Sequence, residues 1–144
     1  MNLKLLEDMS MDVDEIEIQY HPDNEKEVKD LKKFLEFETS TLEVVDDNHD
    51  IQEIRYAMIY SICFQNHKVI IEGNNKSYLY SGSFEDLKEK LTGDYFALIN
   101  DDTMINVYHV KTISEDEPIR IVLENKKIYI CTNLLELKKM IVKN

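Results

Sequence analysis

Apolar and polar residues alternate in short runs along most of this chain, and the spacing lengthens to three and four residues in only three places. Asp14 to Tyr20 puts Ile16, Ile18 and Tyr20 on one side and Glu15, Glu17 and Gln19 on the other, which predicts a half-buried strand. His21-Pro22-Asp23-Asn24 predicts a turn whose Asp23 or Asn24 caps a helix over Glu25 to Glu38. Val28, Leu31, Phe34 and Leu35 form the apolar stripe of that helix, with lysines opposite. Leu42 to Val45 predicts a short strand, and Asp46-Asp47-Asn48-His49-Asp50 a solvated turn.

Short strands and turn clusters then follow one another: Ile51 to Ile54 with Ile59 to Ile62, a polar hairpin loop at Gln65-Asn66-His67-Lys68, Val69 to Glu72, a turn at Gly73 to Lys76, and Tyr78 to Tyr80. Ser83, with Asp86 three residues on, starts a second helix that ends at Leu91, with Gly93 as its left-handed cap. Phe96 to Val110 is the organising stretch. It is apolar, breaks at the polar elbow Asn100-Asp101-Asp102-Thr103, and resumes an alternation in which Met104, Asn106, Tyr108 and Val110 point one way and Ile105, Val107 and His109 the other. After an acidic turn at Ser114 to Pro118, Ile119 to Leu123 and Ile128 to Ile130 predict a hairpin. Asn133 and Glu136 then open a last helix over Leu134 to Val142.

Charge changes this picture. The net charge is −12 over 144 residues, and residues 1–55, with 6 Lys+Arg against 17 Asp+Glu, carry −11 of it. Residues 56–144 hold 11 and 12, close to neutral. An acidic surface repels phosphate backbones and opposes nonspecific nucleic-acid binding. Three Gly and two Pro argue against long flexible linkers, and 43% hydrophobic with 32% charged residues fits a folded chain. No apolar run is long enough to span a membrane, and the start turns acidic too early for a secretory signal. Cys63 and Cys131 lie in apolar runs, which predicts reduced thiols and a cytoplasmic location.

Enzymatic chemistry finds little support. His21, His49, His67 and His109 lack zinc-ligand spacing, and Asp46 to Asp50 lacks the alternating ligands, central Gly and distant Glu of a calcium loop. There is no glycine-rich phosphate loop and no nucleophile motif. No catalytic residue, metal or cofactor is expected.

The organising stretch resembles the signature segment of the LytTR family of bacterial DNA-binding domains. Phe96, Ile99, Ile105, Asn106 and Val110 fit the family frame, and Ser83-Phe84-Glu85-Asp86-Leu87 echoes its helix phrase. The polar positions depart. Leu98 stands where the family often has Arg, Asn100 where it has His, and Asp101 and Asp102 where it has Arg and Ser; Cys131-Thr132-Asn133 replaces a Ser-Arg phrase. The resemblance implies a mostly β (α+β) fold, an elongated arrangement of small antiparallel sheets with short helices. The expected division is an acidic β-α extension over 1–55 and a LytTR-like domain over 56–144, with no room for a receiver domain in the extension.

It also implies a transcription regulator that binds double-stranded promoter DNA through three loops. The candidate DNA contacts are Gln65, Asn66, His67, Lys68, Asn100, Asp101, Asp102, Thr103, Thr132 and Asn133. The alternative is a degenerate module that has lost DNA binding and acts on a protein partner, for example a true LytTR regulator or a second copy. A basic patch built from His67, Lys68, Lys76, Lys111, Lys126 and Lys127 would favour the first, and an acidic loop edge beside an exposed apolar patch the second.

Overall fold

The computed structural model describes the backbone of residues 2–143 and the side chains of residues 2–140. The chain divides into two compact units, Met1–Lys32 and Lys33–Asn144. Among the described residues no helix is long and apolar enough to cross a membrane.

In the first unit the strand expected over Asp14–Tyr20 does not form. Residues 15–20 have no regular pairing, and Ile16 stays 77% exposed. An alternating sequence specifies which side chains share a face, but a lone strand leaves its backbone groups and its apolar face without partners. A single 3-10 turn, Pro22–Asn24, follows, with His21 Nδ1 accepting from Asp23 N–H at 3.1 Å. It leads into helix α1, Glu25–Thr39, which begins in this unit and ends in the second. Along α1 the stripe Val28, Leu31, Phe34 and Leu35 is not the buried one. Phe37 is the buried residue of the helix, while Leu31 and Phe34 are each 40% exposed. Phe37 is held in the second unit by stacking on Tyr95, with ring centroids 4.1 Å apart.

The second unit is built on a seven-stranded antiparallel sheet. Its strands are β1 Thr41–Val45, β2 Ile51–Arg55, β3 Ser61–Gln65, β4 Lys68–Glu72, β5 Ser77–Tyr80, β6 Phe96–Asn100 and β7 Thr103–Asn106. They lie in the order β2-β1-β5-β4-β3-β7-β6. A three-stranded antiparallel sheet, in the order β10-β9-β8, contains β8 Val110–Ile113, β9 Arg120–Leu123 and β10 Ile128–Ile130. Helices α2, Phe84–Leu91, and α3, Leu134–Lys143, complete the unit. The expected class, mostly β in antiparallel sheets with short helices, is what forms.

One pairing and one turn differ from expectation. Ile51–Ile54 does not pair with the strand that follows it. β2 runs antiparallel to β1, Leu42 opposite Ile54, and a 3-10 turn at Tyr56–Met58 separates it from β3. The intervening turn is not simply solvated either. Asp46 is buried; its carboxylate accepts from the N–H groups of Asn48 (2.9 Å) and Asp50 (3.0 Å) and from the Gln52 amide. One carboxylate thus satisfies three donors and closes the hairpin. At α2 the Ser83 cap forms as the sequence predicts, accepting from Asp86 N–H at 3.1 Å. Gly93, however, is not a left-handed helix cap. Thr92 N–H closes the helix on Lys88 carbonyl, and Gly93 sits at φ +144°, a conformation reserved for glycine, in the turn that returns to β6.

Two hydrophobic clusters meet at the β6–β7 hairpin. Phe96 and Met104 belong to the cluster with Ile62, Ile71 and Leu87; Ala97, Ile99 and Ile105 belong to that with Ile121, Leu123 and Leu137. All four β7 residues are buried. The alternation expected to run on to Val110 stops at Asn106, for a physical reason. The fully buried Asn106 side chain donates to Ile59 carbonyl (2.8 Å) and Tyr56 carbonyl (3.4 Å) and accepts from Tyr108 N–H (3.1 Å). That last bond caps a 3-10 turn, Val107–His109, in place of continued strand. The turn exposes Tyr108 and buries His109, whose Nε2 donates to Ala57 carbonyl at 2.5 Å and whose ring stacks on Tyr60 at 3.9 Å.

Because Asn106 satisfies several buried backbone groups at once, Asn106→Ala is expected to cost about 3 kcal/mol of stability, the sum of lost hydrogen bonds and the unpaired carbonyls left behind. Urea unfolding followed by circular dichroism checks this; a loss below about 1 kcal/mol would remove Asn106 from its place as a hub.

Candidate nucleic-acid interface

The three loops singled out in the sequence come together. The first, between β3 and β4, is a two-residue hairpin: Gln65 pairs with Lys68, and Asn66 (φ 54°) and His67 (φ 62°) are both left-handed. That is the type I′ turn, whose twist matches the flanking strands. Asparagine tolerates this region well, but the second position usually falls to glycine, so His67 holds a strained conformation with its ring exposed.

The second loop, between β6 and β7, depends on a β-bulge. Leu98 pairs with Met104 and Asn100 with Thr103, so Ile99 is the extra residue. Its carbonyl instead accepts from the N–H groups of Thr132 (2.8 Å) and Asn133 (2.9 Å) in the third loop. Asn100 Nδ2 reinforces this by donating to Ile130 carbonyl at 3.1 Å. On the other side, Phe64 N–H donates to Asp102 carbonyl at 2.8 Å, and Cys63 pairs with Thr103. Backbone hydrogen bonds therefore join loop to loop along one edge.

This geometry sorts the candidate residues. Asn100 uses both ends of its amide, since its Oδ1 also accepts from Asp102 N–H at 3.1 Å. Thr103 is buried, and its hydroxyl donates to the Asp102 carboxylate at 3.2 Å. The Thr132 hydroxyl points at Ile99 carbonyl, 3.5 Å away. These three hold the edge. Gln65, Asn66, His67, Lys68, Asp101 and Asp102 are exposed, and Asn133 is half-buried. An open groove of about 600 Å³ runs beside the first loop, lined by Phe64, His67, Lys68, Leu79, Tyr80 and Asp101 among others. Sequence reasoning missed Phe64, which is 42% exposed at the end of β3, and the Ile99 carbonyl. An outward-facing aromatic next to a polar turn was the available signal for Phe64; a backbone atom freed by a bulge leaves no signal in residue type.

Charge on this edge is mixed. His67 and Lys68 stand in one loop and Asp101 and Asp102 in the next. Of the expected basic patch, Lys127 is engaged, its Nζ 2.7 Å from Glu72 Oε2. Burial pushes the Cys63 and Cys131 thiols above their ordinary values, which keeps both protonated at neutral pH and argues against a thiolate nucleophile here. No group of His, Cys, Asp and Glu able to hold a metal ion occurs among the described residues.

The scaffold is mostly antiparallel and presents three tied loops along one edge. The model of the LytTr DNA-binding domain family matches residues 49–141. Among solved structures, the chain is similar to a LytTr DNA-binding domain from Bacillus cereus, part of a protein described as a methyl-accepting/DNA response regulator. The TM-score is 0.63 at 12% identity, over 72% of this chain and 97% of that one. No curated protein matches. The chain belongs to the LytTR family of DNA-binding transcription regulators.

The strained turn gives a direct prediction. His67→Gly is expected to raise stability by about 0.5 kcal/mol, the relief of left-handed strain less the extra entropy of glycine in the unfolded chain. Thermal unfolding of the variant measures it; a clear loss of stability would mean that the His67 ring makes a stabilising contact.

Proposed function

We propose that this chain binds double-stranded promoter DNA in a sequence-dependent way through the loop edge formed by Gln65–Lys68, Asn100–Thr103 and 131–134. The carrying observation is the pair of hydrogen bonds from Thr132 and Asn133 to the bulged Ile99 carbonyl. Such cross-bracing holds the loops in place before any ligand arrives, and a preorganised edge lowers the cost of groove recognition. In this reading Lys68 and His67 meet phosphates, and Gln65, Asn66 and Asn133 read base edges. Asp101, which can only accept, takes a cytosine amino group. Asn100, Thr103 and Thr132 position the others. With no Arg in the three loops, the phosphate contribution is small and base contacts carry a larger share of the affinity.

A second reading has its own support. Asp101 and Asp102 are both exposed at the second loop, where phosphates would repel them, and residues 1–55 carry −11. Both features suit a module that regulates by engaging a basic protein partner.

Fluorescence anisotropy with duplexes tiling the region upstream of its own gene, at two salt concentrations and against random DNA, separates the readings. Tight binding to one duplex is expected. Asn133→Ala should weaken it by about 1–3 kcal/mol at one base position, and Lys68→Ala should weaken all duplexes and reduce the salt slope by about one. Equal and feeble binding to every duplex would sink the DNA reading in favour of the protein partner.

A further inference from the structure

The seven-stranded sheet ends in two different ways. At one end β6 is tied to the third loop through Ile99 and Asn100. At the other end lies β2, whose outer side has no neighbouring strand among the described residues. The β1–β2 register fixes which groups are left over. Asp46 N–H bonds Asp50 carbonyl and Tyr56 N–H bonds Ser40 carbonyl, so the hydrogen-bonded positions toward β1 are the even residues 50, 52, 54 and 56. The backbone N–H and carbonyl groups of Ile51, Glu53 and Arg55 therefore face outward. The side chains of those three residues share the exposed face, and Ile54 lies on the core face. An open edge of this kind is a template for another strand.

We infer that β2 is a self-pairing edge, joining two copies of this chain antiparallel about a two-fold axis at Ile54. Symmetry and the pleat leave few registers. Opposite residues must lie on the same face, so an axis perpendicular to the sheet passes through a residue of the strand and not between two. An axis at Glu53 sets Glu53 against Glu53, a repulsive pair in a hydrogen-bonded position. An axis at Gln52 sets Ile51 against Glu53. An axis at Ile54 sets Glu53 against Arg55 twice, by symmetry, and these become the hydrogen-bonded pairs that exchange both backbone bonds. The same axis places Ile54 beside Ile54 on the core face. It also brings Ile51, 69% exposed, toward the segment of the second copy that carries Met58, 44% exposed. Charge complementarity and apolar cover thus agree on one register, and the occupant is a second copy. β2 lies at the opposite end of the strand order from β6, so pairing there leaves both loop edges open. The dimer does not depend on DNA binding; two edges carried on one continuous sheet would suit an inverted DNA site.

Sedimentation equilibrium of the full chain at roughly 0.15 M salt tests this directly. The wild type is expected to dimerise with a dissociation constant at or below about 100 μM. Glu53→Arg and Arg55→Glu each turn both cross-strand pairs repulsive. Each alone is expected to weaken the dimer by about tenfold or more, and an equimolar mixture of the two restores it, because the heterodimer again has opposite charges in both pairs. Both residues are exposed, and circular dichroism verifies that the variants fold. A wild type that stays monomeric up to about 200 μM, or single variants that dimerise as well as the mixture, would overturn the proposal. Failure of the DNA titration leaves this result untouched, so the two ideas fall separately.

Discussion

The β6–β7 hairpin has both faces buried, and the rest of the second unit is arranged by that constraint. A strand pair covered on both sides needs two apolar layers: one comes from the neighbouring strands and α2, the other from the small sheet and α3. Residues Phe96 to Ile105 satisfy both layers because alternate side chains serve alternate clusters. Asn106 then ends the strand by offering its amide to Ile59 and Tyr56 carbonyls and to Tyr108 N–H. The polar group is tolerated in the core because both its amide hydrogens and its carbonyl oxygen find partners there.

From that hairpin the loop edge follows with little freedom. A single extra residue at Ile99 turns one carbonyl out of the ladder, and the third loop is built on that carbonyl. Asn100 and Asp102 then bind the hairpin turn to β10 and to β3. The polar side chains at the elbow divide into those that hold the edge and those left facing outward. The family frame survives at Ile99, whose carbonyl braces the edge, while the departures fall both on residues that hold the edge, Asn100 and Thr132, and on outward-facing ones, Asp101 and Asp102. Fold and contact chemistry can diverge in this way because they rest on different atoms: backbone groups and buried apolar side chains for the first, exposed side-chain tips for the second.

The two ends of the large sheet express the same economy. Where β6 ends the sheet, side chains and loops occupy its surroundings; where β2 ends it, the exposed face carries a Glu and an Arg two residues apart. Charges on an edge strand usually discourage pairing. Opposite charges at that spacing favour the register proposed for self-pairing over one that sets Glu53 against itself.

By itself the sequence determined the local elements whose signals are carried by adjacent residues. The Ser83 cap, the Gln65–Lys68 hairpin, the Ile128–Ile130 strand and the polar elbow at Asn100 were legible because each follows from spacing and turn chemistry over a few positions. The tertiary structure decided the rest. Residues 15–20 alternate as well as any strand here, yet no strand forms, since pairing needs an edge that no local pattern can supply. β2 chose β1 over the strand that follows it, and α1 buried Phe37 in place of its expected stripe, because both depend on which surfaces were already covered. The docking of Thr132 and Asn133 onto the edge comes from one bulged carbonyl, a backbone event that residue identity alone does not encode.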